Sequence, residues 1–200
     1  MIACFFEKKN CTSSIFEELK ISKSNQYDKY RNKYDGISID FSKMPRDCTS
    51  YTEYIDKIEI NLIRDLQKEY PQVQIYEDDS AADVLETIFE ECEQKRFVFV
   101  FDEWNFIFYK EFVTEEDKKK YILFLSNLLK DRSYVQMTYM TGILPIAKYS
   151  SGSELNMFWE YTMASETKYN KYFGFTDSEV DELYDRYRKM LKIFIFQEVI

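Results

Sequence analysis

The chain has 200 residues, 45% of them hydrophobic and 18% aromatic, enough to bury a sizeable core without disulfide or metal staples. Its formal net charge of −9 argues against broad contact with nucleic-acid phosphates, which rests on clustered Lys and Arg. With no histidine, Ser/His and Cys/His catalysis are excluded, and any chemistry runs on carboxylates, lysine or a bound metal.

In chain order, Met1 to Lys9 and Ser13 to Leu19 carry Ile2, Phe5, Phe6, Ile15, Phe16 and Leu19, the pattern of short helical pieces broken near Asn10 to Thr12. The polar stretch Ser22 to Lys33 reads as a connection, and Ile37 to Phe41, alternating between Gly36 and Pro45, reads as a strand ending at Asp40. Ser50 and Glu53 have capping-box spacing. They open a helix whose face is Tyr51, Tyr54, Ile55, Ile58, Leu62, Ile63 and Leu66, stopped by Pro71. Val73 to Tyr76 fits a short strand or an extended loop. Ser80 with Asp83 then caps a helix bearing Val84, Leu85, Ile88, Phe89 and Cys92.

Five apolar residues, Phe97-Val98-Phe99-Val100-Phe101, run into Asp102-Glu103-Trp104-Asn105, as in a strand buried on both faces that delivers acids at its C-terminal edge. Thr114 with Asp117 caps a third helix, facing inward through Tyr121, Ile122, Phe124, Leu125, Leu128 and Leu129. Val135 to Gly142 is another strand, closed by Pro145. Strands alternating with helices of crossover length imply a parallel sheet covered by helices on both faces. Beyond it, Ser150 to Ser153 is a small-residue loop, Leu155 to Met163 is aromatic-rich, and Thr176 with Glu179 caps a helix carrying Val180, Leu183, Tyr184 and Tyr187. Ile193 to Ile200 has no assignable pattern. The expected layout is an α/β core over 1–148 and a helical extension of the same domain over 149–200.

The cysteines at 4, 11, 48 and 92 lack paired spacing, which reads as reduced thiols of an intracellular protein. No apolar run reaches the roughly 18 residues needed to span a bilayer, and no targeting segment is visible, so the expected location is the cytoplasm. Lys118-Lys119-Lys120 follows Glu115-Glu116-Asp117 and reads as a solvated helix face rather than a nucleic-acid site. Arg132, Arg186 and Arg188 read as solvated arginines, and Trp104 and Trp159 as packing residues.

An apolar strand followed by Asp-Glu has the form of a Walker B motif, whose first acid holds a nucleotide's magnesium and whose second polarises the attacking water. The competing reading is a core strand whose acids cap the following segment. Further stretches bear on the choice: Tyr34-Asp35-Gly36-Ile37-Ser38-Ile39-Asp40, Tyr139-Met140-Thr141-Gly142-Ile143-Leu144-Pro145-Ile146, Leu155-Asn156 and Tyr172-Phe173-Gly174-Phe175-Thr176. With Phe97 to Trp104, and in this order, they resemble the AAA-ATPase-like domain family from about Ile2 to Arg188.

The resemblance implies a three-layer P-loop NTPase-like fold in which Asp102 is the magnesium acid, acting through water, Glu103 the catalytic base, and Thr141 the polar sensor residue on the neighbouring strand. ATP and Mg2+ are the implied ligands in intact relatives, which often continue into a PD-(D/E)xK nuclease-like domain. Where the family usually has aspartate, this chain has Asn105. It also departs in the phosphate loop. G-x-x-x-x-G-K-S/T needs a glycine before Lys and Ser or Thr, and none of Gly36, Gly142, Gly152 or Gly174 is so followed.

The expectation is that the chain starts inside the helix after the loop, with the N-terminal strand and Walker A segment missing and Met1 an internal methionine. Two readings follow. In one, the chain is part of an ATPase that takes a nucleotide when a phosphate loop is supplied and is inactive alone, with or without a bound ligand. In the other, it is a non-catalytic remnant that binds a protein partner or itself. Neither involves a membrane or direct nucleic-acid contact.

Overall fold

The computed structural model describes residues 1–8, 14–44, 47–146, 155–162, 169 and 174–197, with backbone only for 191–197. Three parallel strands lie in the order β1 (Asp35–Asp40), β2 (Phe97–Asp102) and β3 (Val135–Met140). Helices flank them, and the fold class is α/β. The expectations at Asn10 to Thr12, Ser150 to Ser153 and Tyr172-Phe173 lie outside the described residues.

The alternation along β2 sorts the molecule into two faces. Phe97, Phe99 and Phe101, all at most 2% exposed, share one face with Ile37 and Ile39. That face is packed by α3 (Tyr51–Glu69), α4 (Ala81–Glu91) and α5 (Glu115–Leu129), whose Tyr54, Leu85, Ile88, Tyr121 and Leu125 join the same core. Edge-to-face ring contacts run through it from Tyr70 and Phe97 at one end to Phe101, Phe41 and Tyr121 at the other. Two successive steps in one direction across a sheet, each through a right-handed crossover, bring both connections to one face.

The opposite face has a thinner cover. Val98 is buried there, but its register partner Met137 on β3 is 36% exposed. The cover comes from α1 (Ile2–Phe6), seated through backbone bonds on either side of Tyr34, and from α2 (Tyr27–Tyr30). Phe5, Phe16 and Tyr27 form a small cluster of their own.

Several sequence expectations are corrected. Ser22 to Lys33 is not a plain connection but holds α2 and the end of a 3-10 turn at Lys20–Lys23. At α3 the Ser50 hydroxyl accepts the Glu53 N–H, whereas the Glu53 carboxylate turns to the Thr49 N–H at 2.9 Å, so the cap is one-sided. The boxes at Ser80/Asp83 and Thr114/Asp117 are complete. Of the two alternatives for Val73 to Tyr76, the loop is the one found. Trp104 is core, but Trp159 is 85% exposed. The backbone carries a last helix, α6 (Asp177–Gln197), into the stretch that showed no pattern, as far as Gln197.

The chain divides into two compact units, Met1–Phe158 and Trp159–Ile200. No helix among the described residues is long and apolar enough to cross a membrane.

One core-facing carboxyl makes stability depend on pH. Burial raises the Glu59 pKa above its ordinary 4.5, and Asp56 and Asp83 add to this, against the Ala81 N–H that it accepts. An acid that binds its proton more tightly when folded loses stabilisation as pH rises from 4.5 through the raised value. Glu59→Gln keeps the Ala81 contact and removes the charge. It is expected to match the unsubstituted chain in urea denaturation below the ordinary glutamate range and to be more stable at neutral pH.

Candidate active site

The candidate site is built where β1, β2 and β3 end. The same alternation that buries the three phenylalanines turns Asp102 to the other side of β2, where it is exposed. Its Oδ1 accepts two bonds, from the Glu103 N–H at 3.1 Å and from the Thr141 hydroxyl at the end of β3. Thr141 is carried there by the β2–β3 ladder, its N–H donating to Phe101 O at 2.9 Å while Trp104 N–H donates to Thr141 O at 3.0 Å. Asp102 and Thr141 are therefore in direct contact across 39 residues of sequence.

Glu103 is half-exposed and has φ of +53°, the left-handed region that a side chain enters at a cost of about 1–2 kcal/mol. This bend turns the chain away from the strand axis and sends Trp104 back into the core at 3% exposure. Among the described residues the Glu103 carboxylate has no hydrogen-bond or ion-pair partner. Strained backbone under an unpaired acid is a recurrent feature of functional sites.

Two residues had roles that the sequence did not announce. Asp40 is the register partner of Asp102, so a second carboxylate stands beside the first at the same rim. Its Oδ1 accepts the Ser42 hydroxyl at 2.6 Å and the Ser42 N–H at 3.0 Å, with Lys43 Nζ 3.4 Å from Oδ2. The Ser42 hydroxyl bond, with smaller help from Lys43, holds the Asp40 pKa below the usual aspartate value despite some desolvation. The available signal was that two predicted strands of one parallel sheet both end in aspartate. Asn105 is fully buried, its Oδ1 accepting the Ile143 N–H at 2.9 Å and its Nδ2 donating to the Tyr109 hydroxyl at 3.3 Å. It ties the loop after β2 to the loop after β3.

The family model described as a predicted AAA-ATPase matches residues 1–151. The chain belongs to the AAA-ATPase-like family. No curated protein and no solved structure matches it.

Within this AAA-ATPase-like domain the helices pin the site loops from below. Tyr54 of α3 donates to Phe41 O at 2.7 Å, one residue after Asp40, and Tyr121 of α5 donates to Trp104 O at 2.6 Å, one residue after Glu103. Both phenols are buried, and desolvation raises their pKa, so they stay neutral donors. Arg132 bonds Asn127 O at the end of α5, Arg186 lies 3.9 Å from Glu182, and Arg188 sits over the Tyr184 ring.

The donor set fits magnesium of the kind that keeps most of its water. Asp102 offers an exposed carboxylate whose Oδ1 is already oriented, and all nearby donors are oxygens, as a hard cation requires. Among the described residues no three metal-ligating side chains converge. Asp102 is the residue that would hold the ion.

Two substitutions test the local geometry. A Cβ on Gly142 would run into the buried Trp104 indole and the Asn105 amide oxygen. Gly142→Ala is expected to cost about 1–3 kcal/mol in urea unfolding, the range for overpacking a site that cannot give. Glu103→Gly relieves the left-handed strain. It is expected to raise the unfolding free energy in urea by about 0.5–1 kcal/mol, the gain being reduced by glycine's larger unfolded-state entropy.

Proposed function

We propose that the rim formed by Asp102, Glu103 and Thr141 is the hydrolytic half of a nucleoside-triphosphatase site of P-loop type. The observation that carries the reading is the Thr141 hydroxyl bonded to Asp102 at the C-terminal end of a parallel sheet, the edge where ligands of such sheets bind. Membership of the family described as a predicted AAA-ATPase supports it.

In this reading Asp102 would hold magnesium, its Oδ1 already bonded by the Thr141 hydroxyl and the Glu103 N–H. Glu103 takes the proton of the attacking water: its carboxylate has no partner among the described residues, is partly exposed and sits one residue beyond the metal acid. Thr141 serves as the polar group of the adjacent strand, coupling the end of β3 to the acid. Bound magnesium would neutralise charge on the phosphate oxygens. Phosphoryl transfer depends almost wholly on positioning and charge, and a phosphate loop with its lysine supplies much of both. No G-x-x-x-x-G-K-S/T occurs in the 200 residues, so by themselves they are proposed to be inactive. ATP is the implied nucleotide, and the cytoplasm the implied location.

A second reading, a protein-binding module without turnover, is favoured by one observation. Among the described residues no strand pairs with the outer edge of β3, and unpaired edges invite association.

Phosphate release tests the first reading. The 200-residue chain is expected to release phosphate from ATP and magnesium at background rate. Fused behind the strand and phosphate loop of a relative that has them, it is expected to turn over. Asp102→Asn and Glu103→Gln should each lower that rate about 100-fold or more, and Thr141→Val by about tenfold. Turnover of the fusion that is indifferent to Glu103→Gln would sink the assignment, and a fusion that binds nucleotide without hydrolysing it would favour the binding module.

A further inference from the structure

The last helix, α6, carries several exposed apolar side chains. Every residue from Val180 to Met190 is exposed. Val180, Leu183, Tyr184, Tyr187 and Met190, spaced at i, i+3, i+4, i+7 and i+10, form one stripe, each side chain 49–59% exposed. The helix is entered through a proper cap, Thr176 and Glu179 bonding reciprocally, so its start is specified. Most helical stability in proteins comes from packing an amphipathic face, and along this stretch that face is exposed.

Charge along the helix identifies the partner. Asp177, Glu179, Asp181, Glu182 and Asp185 precede Arg186, Arg188 and Lys189, with no base among the first nine residues and no acid among the next five. Acids at a helix start and bases beyond them also suit the helix dipole. What the dipole does not call for is an apolar stripe running the length of the same segregated stretch. Two copies laid side by side in parallel would set acid against acid and base against base. Laid antiparallel, the acidic half of each faces the basic half of the other while the stripes bury one another.

We propose that α6 is a self-association element, through which two copies of this chain pair as antiparallel helices about a two-fold axis near Tyr184. The pairing is isologous and closed, so it yields dimers rather than filaments. It is independent of the rim at Asp102, and neither stands or falls with the other.

Sedimentation velocity of the whole chain at tens of micromolar is expected to give a two-chain mass, shifting toward one chain as salt is raised. Leu183→Asp combined with Tyr187→Asp, both at exposed positions, should give a monomer with an unchanged near-ultraviolet dichroism spectrum. So should Arg186→Glu, Arg188→Glu and Lys189→Glu combined, which leave the apolar stripe intact. Orientation is read from oxidative cross-linking above the baseline that the native cysteines set. Tyr184→Cys, near the axis, should give about tenfold more cross-linked dimer than Asp177→Cys, at the far end. A monomeric native chain, a dimer that survives the stripe substitutions, or equal cross-linking at both positions would overturn the proposal.

Discussion

The register of the central strand is the constraint on which the rest depends. Phe97, Phe99 and Phe101 point into one core, and burying each is worth about 1.5–3 kcal/mol. A slip of one residue would move all three rings to the thinly covered face and drive Asp102 inward, a loss of several kcal/mol with a buried charge added. The same alternation that makes β2 the middle of the molecule thus makes its final residue an exposed acid. Parallel pairing then carries the pattern sideways, setting Asp40 level with Asp102 and ending β3 where Thr141 can reach it.

Polar contacts beneath this rim are few and placed at loop junctions. Tyr54 and Tyr121 are buried for their rings and spend their hydroxyls on the carbonyls of Phe41 and Trp104, which leave the ladder as the strands end. Asn105 does the same work between the two loops, and Gly142 leaves room for it. The high aromatic content therefore has a mechanical meaning, since tyrosines supply core volume and a neutral donor in one side chain. The backbone strain at Glu103 is tolerated because Trp104, just beyond it, is held by packing and by hydrogen bonds at both its N–H and its carbonyl.

The two faces of the sheet differ in thickness because both crossovers run over one of them. Helices α3, α4 and α5 build the main core there, while five residues of α1 and four of α2 serve the other side. The exposed methionine of β3 and the bare stripe of α6 show that apolar surface has not been fully consumed within this chain.

What the amino-acid order determined by itself was local. Periodicity marked each long helix and all three strands, the Thr114/Asp117 and Ser80/Asp83 boxes marked helix starts, and the Phe97 run ending in Asp-Glu marked the rim, because each is a property of neighbours in sequence. Alternation of strands and helices also made the parallel sheet legible, and ordered motifs made the family legible. Tertiary structure alone decided what lies between distant residues. It set Asp40 beside Asp102, gave Asn105 its two partners, turned Glu53 to Thr49 instead of Ser50, and left Trp159 in solvent while Trp104 was buried. No local pattern encodes those outcomes, because each depends on which face of which element arrives opposite, and that is settled only when the core closes.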